Sequence, residues 1–236
     1  YWIKQGVTIF RVDNPHTKPF VFWEWLIAEI KKEYPDIIFL SESFTRSALM
    51  YHLGKIGFTQ SYTYFSWKNS KYDLINYMNE LTTGSTAEIF RPNFWPNTPD
   101  INTFPMQNGN QSLYMLRIFL AATLSSNYGM YGPAYEMLIH EAMPGKEEYY
   151  RSEKYEIYHW DWEARNPLTM IITMLNRIRQ NHPALQETNN WENCTVQNEH
   201  LIAYYKQNDD GTDKILCVVN LHPFERQTGN LQAPLH

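Results

Sequence analysis

Three carboxylic acids in the sequence follow short apolar runs and could do chemistry together. Asp13 and Glu42 directly end such runs, and Asp100 comes after one further short loop. Taken singly, each acid is more often a solvated side chain or a cap of a turn or helix. Three of them at the ends of parallel strands would meet at one edge of a sheet, because the carboxyl ends of such strands lie together. Their joint occurrence therefore indicates a catalytic site.

Acids in this arrangement suit the cleavage of an acetal. One carboxylate can capture the oxocarbenium-like carbon while another protonates the leaving oxygen, and retention of configuration needs the two groups about 5–5.5 Å apart. The nucleophile must stay ionised, and Arg11, two residues before Asp13 on the same strand face, can hold and orient it. The acid needs a raised pKa, which an aromatic-lined pocket favours. The residues thus predict a retaining reaction at a sugar.

Five units of a strand followed by a helix are predicted to position these acids. The strand candidates are residues 7–12, 36–42, 58–62, 87–91 and 126–131, and helical spacing covers 20–33, 72–81, 113–124 and 166–181. Buried strands that alternate with helices predict a parallel sheet. A complete (β/α)8 barrel needs eight such units and about 250 residues. We therefore expect an α/β fold in which residues 1–183 form the second part of a (β/α)8 TIM barrel, about strands 4–8.

After Pro183 the pattern changes to that of antiparallel strands. Residues 200–207 and 213–221 are apolar runs, and the turn-forming residues 208–212 lie between them. This order predicts a β-hairpin. We expect residues 184–236 to be the start of a C-terminal antiparallel β domain of the sandwich type.

Composition argues against several classes of partner. A net charge of −5 and an isoelectric point near 5.9 give no basic footprint for nucleic acid. The sequence contains no apolar stretch of about 20 residues for a membrane span, no metal-ligand spacing and no Gly-rich phosphate loop, so we expect no metal and no cofactor. With no leader pattern and only Cys194 and Cys217, of which Cys217 reads as a buried apolar residue, we expect a cytoplasmic location.

Aromatic content is the unusual quantity in the composition. Aromatic residues make up 16% of the chain, with eight Trp and 17 Tyr. A large aromatic core would explain most of them, and flat rings that stack on sugars would explain the others. Composition alone leaves both interpretations open.

Three ordered segments resemble the α-amylase superfamily of glycoside hydrolases and transglycosylases. They are GVTIFRVDNPHTKP (6–19), FLSESFTR (39–46) and RPNFWPNTPDI (91–101). Asn14 after the first acid and Pro99 before the third differ from most amylases. Both residues resemble those of the branch that extends α-1,4-glucans from α-maltose 1-phosphate. Three further segments resemble that branch too: TYFSWKN (63–69), MYGPAYE (130–136) and SEKYEIYHWDW (152–162).

The resemblance implies a role for each matching residue. It implies Asp13 as the nucleophile, Glu42 as the general acid and base, Asp100 as the carboxylate that grips sugar hydroxyls, and Arg11 as the residue that orients Asp13. It also implies that Asn14 helps to hold the donor phosphate. Lys154 and Tyr155 would bind the far glucose of the maltosyl unit, although Lys154 could equally be a surface lysine. His16 is a weaker candidate for a sugar contact, as is Lys18, and Asn97 reads as a residue that shapes its loop.

The function implied is retaining transfer of maltosyl units from α-maltose 1-phosphate to the non-reducing end of α-1,4-glucans such as glycogen. One alternative is a hydrolase or another transglycosylase of the same superfamily that acts on α-1,4-glucan. A second alternative is a non-catalytic carbohydrate-binding relic, which the presence of all three acids and Arg11 opposes. The resemblance also allows a homodimer. Because strands one to three of the barrel are expected upstream, we expect residues 1–236 alone to be inactive or nearly so.

Overall fold

A computed structural model of the chain describes residues 1–164 and 166–232. The chain forms two compact units. The first consists of Tyr1–Tyr64 with Asn79–Asn93, and the second of Phe65–Met78 with the described residues from Phe94 onwards.

The first unit is built on parallel strands. The strands are β1 (Ile9–Asp13), β2 (Ile38–Glu42), β3 (Gln60–Tyr62) and β4 (Pro92–Phe94), and the last residue of β4 belongs to the second unit. They pair in the order β1-β2-β3-β4, and each pairing is parallel. The helices that follow β1, β2 and β3 in the chain are α1 (Phe20–Glu33), α2 (Ser47–Lys55), α3 (Lys71–Thr82) and α4 (Gly84–Ile89), and α3 belongs to the second unit up to Met78.

Helix α1 shows why this part of the sequence folds as strand, helix and strand. Its apolar residues recur at helical spacing, and Ile27 is buried among residues from β2 and α2. The helix ends at Glu33, two residues before Pro35, which disfavours a helical conformation in the residue that precedes it. The buried core of the unit consists of Ile27, Ile37, Phe39, Leu53 and Phe58. The predicted helix 20–33 is confirmed.

One predicted strand was wrong. Residues 87–91 (AEIFR) were expected to form the fourth strand, but most of them lie in α4, and β4 begins only at Pro92. Gly84 begins α4, with φ of 61° in the left-handed region that glycine adopts readily. A short apolar run fits either a strand or a helix, and packing between α2 and α4 decides it here.

The second unit begins with the last strand–helix units. It contains α5 (Gln111–Leu124), β5 (Asn127–Tyr128), α6 (Gly132–Glu136) and α7 (Pro167–Asn181). The backbone N–H of Gly129, just after β5, donates to the carbonyl of Phe94 at the end of β4. Eight residues of α5 are buried, and the helix predicted from the spacing of 113–124 is confirmed.

Residues after α7 form an antiparallel sheet. Its strands are β6 (Trp191–Val196), β7 (Leu201–Gln207), β8 (Lys214–Asn220) and β9 (Leu231–Gln232), in the order β8-β7-β6-β9. The β7–β8 hairpin confirms the predicted one, and its turn lies at the predicted residues. Cys194 and Cys217 are buried free thiols, as expected for Cys217. The predicted domain boundary between residues 183 and 184 stays a prediction.

Candidate active site

The register of β1 on β2 brings two of the predicted catalytic acids together. Asp13 pairs with Glu42 at the carboxyl ends of the two strands, and Arg11 pairs with Leu40. Neighbouring strands lie about 4.8 Å apart, and paired residues of parallel strands face the same side of the sheet. The first two acids are therefore neighbours at the carboxyl ends of β1 and β2.

Arg11 and Glu42 form an ion pair in this site. The Nη2 of Arg11 donates to Oε2 of Glu42, whose side chain is only 7% exposed. Burial raises the pKa of Glu42, Arg11 lowers it by hydrogen bonding and charge, and Asp13 raises it, so that the pKa ends above its ordinary value. The general acid of the predicted reaction needs a raised pKa, and Glu42 has one. Arg11 was expected to orient Asp13, and it also interacts electrostatically with that residue.

Asn14 holds the strand end in place through both its backbone and its side chain. Its Nδ2 donates to Oδ1 of Asp13 at 2.9 Å, and its backbone N–H donates to the carbonyl of Glu42 at 3.0 Å. Its φ of 46° lies in the left-handed region, which Asn tolerates better than most residues. His16 lies in the 3-10 turn that follows, and its buried Nδ1 has no hydrogen-bond partner among the described residues.

A cavity of about 540 Å³ opens beside Asp13 in the first unit. It is lined by Val12, Asp13, Lys18, Pro19, Phe22 and Trp23. The indole Nε1 of Trp23 donates to the carbonyl of Pro15 at 2.9 Å, which joins α1 to the turn after β1. Aromatic side chains therefore adjoin the predicted nucleophile, and Lys18 shares the cavity with it.

Asp100 lies in the second unit, in a tight turn six residues after β4. The turn closes through the backbone hydrogen bonds between Thr98 and Ile101. Lys154 Nζ lies 3.5 Å from Oδ1 of Asp100 and 5.8 Å from the ring centroid of Tyr155. The charge of Asp100, followed by that of Tyr155, raises the pKa of Lys154. The structure thus brings Asp100, Lys154 and Tyr155 together.

These three residues border a cavity of about 290 Å³. Glu148 and Tyr150 also line it, and so do Met143 and Ser152. An ion pair, a second carboxylate and aromatic rings around one cavity provide hydrogen-bond partners and flat faces for a sugar. That Asp100 converges on Asp13 and Glu42 stays a prediction.

Asn97 and Glu147 fix the loops around that cavity. Asn97 is 1% exposed; its Nδ2 donates to the hydroxyl of Tyr149 at 2.7 Å, which confirms its predicted role in shaping the loop. The carboxylate of Glu147 accepts from Trp67 Nε1 at 2.7 Å and from the backbone N–H of Phe104 at 2.9 Å. Sequence reasoning missed Glu147, because its partners are distant in the chain and no motif marks it.

The described residues contain neither a metal-ligand cluster nor a membrane-spanning helix. No group of three or more His, Cys, Asp or Glu residues in 1–164 and 166–232 is placed to hold a metal ion. Within the same ranges, no helix has both the length and the apolar character needed to cross a membrane.

Sequence comparison relates the chain to one set of enzymes. Residues 193–236 match the family model described as "GLGE, C-terminal". The chain is 54% identical over 222 residues to the α-1,4-glucan:maltose-1-phosphate maltosyltransferase of Methylacidiphilum infernorum, which covers 94% of this chain and 33% of the relative. It is 50% identical over 241 residues to the enzyme of that name from Chlorobaculum tepidum, at 100% and 36% coverage. The chain thus spans about a third of the length of these curated relatives.

Comparison with solved structures shows the fold. The α-amylase of Anoxybacillus superposes with a TM-score of 0.73 at 14% identity, over 93% of this chain and 49% of the amylase. The α-amylase of Geobacillus thermoleovorans superposes with a TM-score of 0.69 at 17% identity, over 89% and 48%. These likenesses confirm the predicted fold class, the second part of a (β/α)8 barrel followed by an antiparallel β domain. Over nearly its whole length the chain is similar in sequence to α-1,4-glucan:maltose-1-phosphate maltosyltransferases, and its fold is like that of the α-amylases.

Proposed function

We propose that the protein carrying this chain transfers maltosyl units from α-maltose 1-phosphate to the non-reducing end of α-1,4-glucans such as glycogen, with retention of configuration. The main support is the identity of 54% and 50% to relatives that bear this name, over nearly the whole chain. The proposal belongs to the whole protein, because the chain spans only about a third of those relatives.

In the first half of the reaction, Asp13 is the nucleophile and Glu42 the acid. A carboxylate oxygen of Asp13 bonds to C1 of the maltosyl unit while the bond from C1 to the phosphate oxygen breaks. Glu42 gives its proton to that oxygen, and phosphate leaves. The raised pKa of Glu42 supports this role, because a carboxyl group that stays protonated to a higher pH is the better proton donor near neutrality.

In the second half, Glu42 acts as the base. It takes the proton from the 4-hydroxyl of the glucan end while the hydroxyl oxygen bonds to C1 and the ester bond to Asp13 breaks. Two inversions restore the α configuration. Arg11, in contact with Glu42 and in the field of Asp13, balances the charge that moves between them.

The remaining site residues would bind the donor. We propose that Asp100, Lys154 and Tyr155 hold the hydroxyls and the ring of the sugar in their shared cavity. Asn14, whose side-chain amide lies on Asp13, would face the departing phosphate, and His16 would contact the sugar beyond it. A cytoplasmic location remains an expectation from the few cysteines and the lack of a leader pattern. A homodimer remains an expectation from the resemblance, and we propose no metal or other cofactor.

Phosphate release from α-maltose 1-phosphate, measured with and without glycogen, tests the proposal on the protein that carries this chain. We expect release that glycogen stimulates. Asp13→Ala should lower it by about 10³-fold or more, because the covalent step loses its nucleophile.

Asp36→Ala is the matched control, since Asp36 is an exposed acid just before β2, at the opposite end of the strand from Glu42. It should keep the activity of the unmodified protein. Starch hydrolysis without phosphate release would favour the amylase alternative. Glucan binding without either reaction would favour the non-catalytic carbohydrate-binding relic.

A further inference from the structure

Residues 151–162 form an ordered segment without regular secondary structure. All twelve are described, and none lies in a helix or strand. Side-chain hydrogen bonds order the segment instead: the Tyr158 hydroxyl donates to the carbonyl of Arg151 at 2.5 Å, and the Trp160 Nε1 donates to Oε1 of Glu153 at 2.9 Å. The segment therefore holds a defined shape.

Glu153 anchors the segment to the interior of the second unit. Its Oε2 accepts a hydrogen bond from the hydroxyl of Tyr131, and the backbone N–H of Tyr131 donates to Oδ1 of Asn97 at 3.0 Å. Asn97 is 1% exposed. One carboxylate thus ties Trp160 to a buried residue of the loop that carries Asp100.

The hydrogen bonds of Tyr158 to Arg151 and of Trp160 to Glu153 hold two aromatic rings face to face. The rings of Tyr158 and Trp160, called here the aromatic pair, have centroids 4.8 Å apart and planes 11° apart. Both side chains are half-buried, and the same segment also exposes 81% of Tyr155 and 72% of Trp162. Four aromatic residues within eight positions, partly open to solvent and held by hydrogen bonds, mark a binding surface rather than a core.

The chemistry of the surface fits a sugar chain. A glucose ring has apolar C–H faces that stack on flat aromatic rings, and its hydroxyls reach polar groups at the ring edges. Lys154 and Tyr155 line the donor cavity, but the aromatic pair does not. A donor with two glucose units would fill the cavity, whereas a polymeric glucan extends far beyond it.

We propose that the aromatic pair is a binding platform for the α-1,4-glucan chain, outside the cavity that holds Asp100. The inference rests on the proposed function, and it adds a site for the polymeric substrate. Glu153 is a positioning residue of this platform, because it holds Trp160 without facing the glucan itself.

Trp160→Ala in the protein that carries this chain tests the platform by two measurements. The mobility of the protein in gels that contain glycogen reports binding without any need for activity. Phosphate release reports the KM for glycogen and for α-maltose 1-phosphate separately. We expect glycogen binding to weaken, and its KM to rise, by about 3- to 10-fold, with the donor KM unchanged.

Two further variants serve as controls. Phe224→Ala removes an aromatic side chain that is 70% exposed on the β domain, and it should behave as the unmodified protein. Trp160→Phe keeps a ring but loses the bond to Glu153, and it should bind glycogen better than Trp160→Ala does. This comparison also separates loss of the platform from misfolding of the segment.

Other outcomes would overturn the inference. Glycogen binding that stays unchanged in Trp160→Ala would do so, as would a rise in the donor KM alone, or an equal loss in Phe224→Ala. A change in oligomeric state with intact glycogen binding would show a protein interface instead. If the unmodified protein binds glycogen but releases no phosphate, the proposed function fails, while the gel measurement still decides on the platform.

Discussion

The proton on Glu42 is controlled by a balance between burial and two neighbouring charges. Burial raises the pKa of this carboxyl group most strongly, Arg11 opposes the rise, and Asp13 adds to it. The side chain of Arg11 is 35% exposed, whereas that of Glu42 is 7% exposed, so Arg11 can be replaced with less disturbance of the interior. The arginine therefore limits how far the pKa of the acid rises.

Replacing Arg11 should move the pH dependence of activity. In Arg11→Met the hydrogen bond and the positive charge that lower the pKa of Glu42 are lost, so the pKa should rise further. Because the acid must be protonated in the free enzyme, the alkaline limb of the profile of kcat/KM against pH should shift to higher pH. The profile of phosphate release checks this.

Arg11→Lys is the control for charge. This variant keeps the positive charge but loses the planar guanidinium that can bond two partners. The alkaline limb of its pH profile should therefore lie between those of the unmodified protein and Arg11→Met. An alkaline limb that does not move in Arg11→Met would mean that the proton seen in the profile is not on Glu42.

At the scale of elements, asparagine side chains begin the two long helices of the second unit. Asn110 Oδ1 accepts from the backbone N–H of Leu113 at 2.9 Å at the start of α5, and Asn166 Oδ1 accepts from that of Thr169 at 3.0 Å at the start of α7. Each satisfies one of the N–H groups that the first turn of a helix leaves without a partner. Asn166 is thus the N-cap of α7.

Removal of the cap on α7 should lower stability by a predictable amount. Asn166→Ala should cost about 1 kcal/mol in the free energy of unfolding, because the N–H of Thr169 loses its acceptor. Denaturant unfolding of the protein that carries this chain measures the change. Asn166→Asp, which also accepts that bond, should stay close to the unmodified protein.

Asn181→Ala at the other end of α7 is the matched control, since Asn181 is exposed and caps no N-terminal N–H group. It should change stability by less than the cap variant does. Equal losses at the two ends would show that the cap does not stabilise the helix.

On the scale of the whole molecule, a buried lysine joins the last part of the barrel to the β domain within the second unit. Lys206 on β7 is 0% exposed, and its Nζ donates to the carbonyl of Thr123 in α5 at 3.2 Å and to that of Glu187. Burial lowers the pKa of Lys206 to about 7. One side chain thus links three segments that are distant in the sequence.

Lys206 should make stability depend on pH. Between about pH 7, the folded pKa, and the ordinary lysine pKa of about 10.4, the unfolded chain binds the proton and the folded chain does not. Stability contributed by Lys206 is therefore complete above that range and is lost as the pH falls towards 7, by at most about 1.4 kcal/mol per pH unit. Unfolding free energies measured from pH 7 to 10 should show this slope.

In Lys206→Met the slope should flatten, and stability at high pH should fall because two carbonyls lose their donor. Lys214→Met, at an exposed position that begins β8, should keep the slope. A slope that persists in Lys206→Met would place the titrating group elsewhere.

Local signals in the sequence were sufficient for most elements and for the first two acids. Helix 20–33, bounded by Pro35, and the hairpin around residues 208–212 each depend on spacing and turn chemistry within a few residues. Asp13 and Glu42 end apolar runs, and parallel pairing then places them in register. The strand predicted for residues 87–91 was wrong because so short an apolar run shows no clear periodicity. Packing against neighbouring elements favours a helix there.

The sequence by itself determined the fold class, the order of the strand–helix units and the types of residue that could do the chemistry, because these depend on local pattern and spacing. Only the tertiary structure decided how those residues are tuned. The burial of Glu42 and Lys206, and the hydrogen bond from Tyr131 to Glu153, depend on segments that are separate in the chain. The pKa of a side chain and the orientation of an aromatic ring depend on the groups around them, and those groups come together only when the chain folds.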